Sequence, residues 1–370
     1  MRNRPVAILM TLVAIGVTLL ICAGVVYLLA GDQIIDGVRT ALVRLSLAGR
    51  EEDLARSVSD NTDPVRFTIS LGEAPVTIAG RLQSANLILD SDLFVDYLRA
   101  ERLDVELEAG TYFLNQAQTI PQIALALTDS RFSQITFTIL PGWRIEEVAV
   151  AIDENGLFAF TGSDFLQTVQ QGATVNTAFA ERVQLPEGAS LEGFLFPETY
   201  QFAPEVTAIQ MRDQLLESFN QAITLDMEND AELRGFNLFE IVTMASIVER
   251  EAVRNDEKPK IAGVYFNRLT QNMNMDADPT VQYALGNSRG TWWARITGAD
   301  YTAVRSDYNT YLNFGLPPGP IANPSRDAIL ASIYPEPSDF LYFRADCRDD
   351  GYHEFARTYE EHLQNGCSSR

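Results

Sequence analysis

The chain opens with an unbroken apolar run from Val6 to Ala30 that carries no charge. At helical rise it is roughly 38 Å long, enough to span a ~30 Å hydrocarbon core with some tilt. Arg2 and Arg4 precede it, and Asp32 and Asp36 follow it. The positive-inside rule places residues 1–5 in the cytoplasm, a transmembrane helix at 6–30, and the rest outside the plasma membrane as a single-pass anchor with a cytoplasmic N-terminus. The run is longer than a cleaved signal peptide needs. Residues 31–64 are mixed and charged and read as a juxtamembrane stalk.

The pattern then changes to short alternating and helical segments. Val65 to Ile69 alternates as a strand, and Val76 to Leu82 repeats as a short amphipathic helix. Asp90 to Arg102 reads as a helix with an acidic cap, Leu107 to Leu114 as a strand and Thr119 to Thr128 as a helix. Gln134 to Leu140 restarts with a strand. Helices follow at Arg144 to Asp153, Ser163 to Gly172, Val206 to Leu225, Leu238 to Arg254 and Lys258 to Leu269. Beyond residue 274 the chain reads as loop-rich. The expected architecture is α+β, with a small unit at 65–134 and a larger mixed α+β domain at 135–370.

Composition narrows the chemistry. The chain has 370 residues, 28 basic against 50 acidic, for a net charge of -22. Such acidity argues against a nucleic-acid partner, because neutralising phosphates needs Lys and Arg. With two histidines, His353 and His362, a His-rich metal site is not expected, and both read as structural. No metal or cofactor is indicated. Cys347 and Cys367 could pair in an oxidising compartment or stay as thiols; Cys22 lies inside the apolar run.

The helix from Leu238 carries the candidate acid. At 100° per residue, Leu238, Val242, Ala245 and Val248 form an apolar sector, and Glu249 falls within it. Glu240 and Glu251 fall on another side. A carboxyl group in apolar surroundings keeps its proton more readily, which suits a general acid. The alternatives are a Glu249 paired with a buried Arg, or one facing water at a helix end. Residues 274–324 combine Asp276, Asp278, Asn309, Asn313 and Asn323 with Trp292, Trp293, Tyr283, Tyr308, Tyr311 and Phe314. Aromatic faces beside amides suit sugar rings, although ordinary core would look the same. The run Gly315 to Pro320 would make a rigid groove wall.

Several runs, in order, closely resemble the endolytic murein transglycosylase (YceG-like) family. They are Ser190 to Tyr200 (SLEGFLFPETY), Ala245 to Glu251 (ASIVERE), Val264 to Leu269 (VYFNRL), Asp278 to Tyr283 (DPTVQY), Tyr308 to Tyr311 (YNTY) and Gly315 to Ile321 (GLPPGPI). Residues 65–134 resemble the LysM-like subdomain that precedes the catalytic domain in that family. The resemblance implies a lyase that cuts the β-1,4 bond between MurNAc and GlcNAc within peptidoglycan strands. It would leave 1,6-anhydro-MurNAc ends and terminate strand elongation. The family's catalytic Glu maps to Glu249, acting as acid and then as base. The resemblance also implies that Asp278, Thr280, Gln282 and Tyr283 line the groove, with Asn309, Tyr311 and Glu198 as further substrate contacts and peptidoglycan synthases as partners. For Glu198 and Glu192, helix capping or loop hydrogen bonding is the alternative to catalysis. Two other functions stay open. One is a hydrolase using a second carboxylate, Asp278 or Glu198; the other is a wall-binding or division scaffold without enzymatic activity.

Overall fold

The computed structural model describes residues 44–129, 133–348 and 350–366. The expected membrane helix at 6–30, the cytoplasmic tail and Cys22 and Cys367 lie outside them. Among the described residues no helix is long and apolar enough to cross a membrane. The chain divides into two compact units, one ending at Gln134 and one beginning at Ile135.

The first unit contains α1 (Glu51–Leu54), β1 (Val65–Ile69), α2 (Pro75–Ser84), α3 (Ser91–Glu101), β2 (Gly110–Leu114) and α4 (Ile120–Ala126). β1 and β2 pair antiparallel, with Val65 opposite Leu114 and Ile69 opposite Gly110. The alternation in β1 sends Phe67 and Ile69 inward and Arg66 and Thr68 outward. Ile78, Leu82, Phe94, Leu98, Tyr112 and Ile123 complete the core. Pro75 opens α2 at a position where a missing N–H costs nothing. Asp90 caps α3 by accepting from the Leu93 amide at 3.0 Å.

In the second unit β3 (Ile135–Thr138) leads to α5 (Ile145–Asn155), α6 (Gly162–Val169) and α7 (Thr177–Val183), and β4 (Thr199–Phe202) returns to pair antiparallel with β3. Next come α8 (Ala208–Ala222), α9 (Leu225–Leu233), α10 (Leu238–Glu251), a 3-10 turn at Asn255–Glu257 and α11 (Lys258–Thr270). The region expected to be loop-rich contains α12 (Asp278–Leu285), α13 (Asp300–Ala303), α14 (Arg326–Ile333), the antiparallel pair β5 (Tyr342–Ala345) and β6 (His353–Ala356), and α15 (Tyr359–Gln364).

The centre of this unit is α10. It starts with a reciprocal cap, in which Asn237 accepts from the Glu240 amide and Glu240 accepts from the Asn237 amide, each at 2.9 Å. Apart from Glu240, every residue from Leu238 to Val248 is buried, so the helix has no solvent face over that length. This differs from the single apolar sector of the wheel. Helices α9, α11, α12 and α14 all pack against it. Its buried hydroxyls are satisfied: Thr243 donates to the Phe239 carbonyl, and Ser246 donates to the Thr243 carbonyl while accepting from the Ile321 amide.

Three loops meet at Asn323, which is fully buried. Its side-chain oxygen accepts from the amides of Gly193 and Leu195, each at 3.0 Å. Its side-chain nitrogen donates to the Trp143 carbonyl at 3.0 Å. Its backbone pairs with Gly142 and Trp143 at 2.8 Å each. The Asn267–Arg268 pair in α11 does similar work at the other end. Asn267 donates to the carbonyls of Ser338 and Phe340, and Arg268 to those of Leu341 and Met275. His353 Nδ1 lies 2.9 Å from Glu257. Cys347 is disulfide-bonded.

Candidate active site

Glu249 occupies the last turn of α10, where the fully buried stretch ends. The apolar pocket suggested by the wheel is not what surrounds its carboxylate. After α10 the chain turns through residues 252–257 and enters α11, which brings Lys258 back against Glu249. Lys258 Nζ lies 2.9 Å from Oε2 and 3.1 Å from Oε1. The Lys258 and Glu249 side chains are 3% and 10% exposed, so the pair is largely shielded from water. The partner is therefore a buried cation, but a lysine rather than the arginine considered from sequence.

The second support comes from the start of α14. Ser325 caps that helix by accepting from the Ala328 amide at 3.3 Å. It also presents its own amide to Glu249 Oε2 at 3.0 Å and its hydroxyl at 2.5 Å. Lys258 Nζ bonds to the Ser325 hydroxyl as well, at 3.0 Å. Anions are favoured at helix N-termini, so the end of α14 adds to the attraction. Because Ser325 lies two residues after Asn323, the three-loop junction fixes the carboxylate's surroundings.

Arg250 covers one flank. Its guanidinium sits 3.8 Å over the Trp293 ring, and the Trp293 indole N–H donates to Glu147 at 2.9 Å. Gly142, at φ +81°, lies beneath, and a Cβ there would sit 3.0 Å from Arg250 Nη1. A second cation continues this wall: Arg144 lies 4.1 Å from the Tyr283 ring centroid and 4.9 Å from that of Trp292. Tyr283 in turn contacts Tyr308. Burial, and after it Glu192, pushes the Tyr283 hydroxyl well above the usual phenol range, so it stays a neutral donor.

The other expected contacts divide into three groups. Asp278 opens α12 and accepts from the Tyr311 hydroxyl at 2.6 Å, and Tyr311 stacks on Tyr301 at 4.1 Å. Gln282 holds the neighbouring loop through the Ala294 carbonyl at 3.0 Å. Asp278, Gln282, Tyr283 and Tyr311 are all half-buried and retain accessible surface. Thr280 and Asn309, expected in the groove, are both fully buried in this structure. Thr280 Oγ1 bonds the Ala277 carbonyl and Thr310 Oγ1, and Asn309 donates to the carbonyls of Tyr301 and Val304. They shape the 277–311 region from inside. Glu198 is exposed just before β4, where Ser218 lies 3.4 Å from it. Among the described residues it shares no hydrogen-bond partner with Glu249.

Two carboxyls stand out that periodicity did not assign to chemistry, the buried Glu192 and the half-buried Glu251. Glu192 is 1% exposed and accepts from the Ile145 amide at 3.1 Å, at the start of α5. Burial, and after it Glu146, holds it protonated well above the ordinary carboxyl range. That is the structural role weighed for it. Glu251 accepts from the Tyr265 hydroxyl at 2.7 Å, and burial raises it to about 7.

The YceG-like family profile matches residues 67–367. The chain belongs to the YceG-like family. Among its relatives is the endolytic murein transglycosylase of Bacillus subtilis, 28% identical over 314 residues, covering 82% of this chain and 84% of that protein. The endolytic murein transglycosylase of Streptococcus pneumoniae R6 is 31% identical over 307 residues, covering 78% of this chain. The chain spans about half, 55%, of that longer relative. The crystal structure of a yceG-like protein from Listeria monocytogenes matches with a TM-score of 0.56 at 28% identity. It covers 83% of this chain and 100% of that one. The YceG-like match includes the Glu249 helix and the three-loop junction, and it also takes in most of the first unit.

Proposed function

We propose that this YceG-like chain is an endolytic lytic transglycosylase that cleaves the MurNAc–GlcNAc β-1,4 bond within peptidoglycan strands and leaves 1,6-anhydro-MurNAc ends. The observation that carries this reading is the Glu249 carboxylate, held by Lys258 and Ser325 at the end of the buried helix. The named relatives support the same substrate and reaction.

The chemistry needs one carboxyl. Protonated Glu249 gives its proton to the glycosidic oxygen as the bond from that oxygen to MurNAc C1 breaks. The carboxylate then takes the proton of the MurNAc C6 hydroxyl as O6 closes on C1. The nucleophile belongs to the substrate, so no second carboxylate has to place a water. Trp292, Trp293, Tyr283 and Tyr311 supply faces for sugar rings, and Asp278 and Gln282 supply polar contacts at the rim. Thr280 and Asn309 support these from beneath. The apolar run at 6–30 would anchor the enzyme beside the strands it cuts, with peptidoglycan synthases as neighbours. The LysM-like reading of residues 65–134 would give a second glycan contact.

The test is product mass. The full chain in detergent, and its Glu249→Gln variant, are incubated with purified peptidoglycan. Anhydro-ended fragments, one water lighter than hydrolysis products, are expected from the wild type and not from the variant. Reducing ends instead would make the enzyme a hydrolase and send attention to Asp278 and Glu198. Glycan binding with no cleavage by the wild type would leave a scaffold.

A further inference from the structure

The two oxygens of Glu249 are not equivalent. Oε2 accepts three hydrogen bonds, from Lys258 Nζ, the Ser325 amide and the Ser325 hydroxyl. Among the described residues, Oε1 accepts one, from Lys258 Nζ at 3.1 Å. A carboxylate oxygen has about two lone-pair sites, so Oε2 is saturated and Oε1 keeps one free.

We propose that Lys258 is a positioning residue that, with Ser325, pins Glu249 through Oε2 and leaves Oε1 as the oxygen that exchanges the proton. This rests on the reading of Glu249 as acid and base. The ammonium carries three N–H groups and has three partners: both carboxylate oxygens and the Ser325 hydroxyl. When Oε1 is protonated, Lys258 keeps Oε2 and Ser325, so the carboxyl does not rotate. When Oε1 loses its proton to the glycosidic oxygen, the Oε1 contact re-forms and the charge is met at once. The same proton count holds in the second half, where Oε1 takes the proton released from the C6 hydroxyl. Lys258 therefore supports both states without giving up a proton itself.

The charged groups around Glu249 are Lys258 from α11 and Arg250 from its own helix. The α14 side contributes Ser325 and the helix N-terminus, and the loop before α5 contributes the Gly142 backbone. Among the described residues, Lys258 is the cation bonded to the carboxylate.

The experiment compares wild type, Lys258→Met and Lys258→Arg as full chains on peptidoglycan. It reads kcat and KM, with a melting curve for each. A loose carboxyl costs about 100-fold in rate when a reacting group is misplaced by about an ångström. Lys258→Met is expected to lower kcat by about that factor with KM little changed. Lys258→Arg keeps the charge and several donors, and is expected to restore most of kcat. If the methionine variant does not fold, the arginine variant decides. A folded arginine variant with near-wild-type kcat supports positioning, and a folded but inactive one overturns it. A methionine variant with wild-type kcat also overturns it. A wild type that yields no anhydro ends removes the underlying functional reading, and it does so before any variant is compared.

Discussion

The Tyr265 hydroxyl donates to Glu251 at 2.7 Å, on the side of α10 roughly opposite Glu249. Burial raises this carboxyl to about 7, the phenol hydrogen bond opposes the rise, and Asp278 adds to it. Arg268 and Arg250 pull the other way. In the unfolded chain the same group titrates near about 4.3. A carboxyl raised in the folded state contributes stability below the unfolded value and loses it as pH rises through the folded one. The wild type should therefore lose roughly 3 kcal/mol relative to Glu251→Gln between about pH 4.3 and 8. Denaturant unfolding of both proteins at pH 4.5 and pH 8 measures this difference, and other titrations cancel. A stability difference that does not move with pH would remove Glu251 as the titrating group.

Glu251 also marks where sequence reading stops. Helix α10 is legible as a helix from its apolar sector at Leu238, Val242, Ala245 and Val248, but not as one buried on every side. Glu249 could be placed within that sector. Its partners could not, because Lys258 arrives by a turn and Ser325 lies 76 positions away. Helical periodicity relates neighbours three and four apart, and neither contact is of that kind. Helices α12 and α14 are each eight residues long and were hidden among Pro and Gly. The first three residues of β5 and of β6 are all half-buried, so the in–out alternation that reveals a strand is missing. Thr280 and Asn309 carry groove-like chemistry in sequence, but their side chains are taken up by backbone carbonyls and Thr310.

The junction at Asn323 should be stability-critical. Asn323→Ala would leave the amides of Gly193 and Leu195 without their acceptor in a fully buried place. Each unpaired buried group costs about 1–3 kcal/mol, so a loss of roughly 2–5 kcal/mol is expected. Asn323→Asp keeps an acceptor but aims it at the Trp143 carbonyl and at Glu192, and it should do no better. Chemical denaturation checks both. A loss under about 0.5 kcal/mol for the alanine variant would mean water replaces the side chain there.

Gly193 answers to geometry rather than hydrogen bonding. It sits at φ +90°, where an L side chain is strained, and an added Cβ would lie 2.5 Å from Pro320 Cβ and 2.8 Å from Val242 Cγ1. None of those atoms is the end of a flexible chain. Gly193→Ala should therefore destabilise by about 3 kcal/mol or more and shift the Pro320 loop against α10. The melting temperature reports the first effect. A crystal structure of the variant with Pro320 unmoved would contradict the second.

The Trp293–Arg250 stack gives a prediction that separates binding from chemistry. Arg250 follows Glu249 directly and lies over the indole face, with desolvation pulling its guanidinium below its ordinary value. Among the described residues its buried Nε has no hydrogen-bond partner, so the ring face is a main source of its stabilisation. The indole is itself tied to Glu147, which also accepts from the Arg144 amide at 3.0 Å and so belongs to the start of α5. If this wall holds a sugar ring, Trp293→Ala should raise KM by about tenfold, the equivalent of one partly desolvated aromatic contact, with kcat changed by less than about threefold. Trp293→Phe keeps a face for Arg250 but cannot bond Glu147, and should fall between the two. Steady-state assays on peptidoglycan fragments of defined length give both constants. A kcat that falls while KM stays constant would mean that the wall orients Glu249 through Arg250 and does not itself hold the sugar.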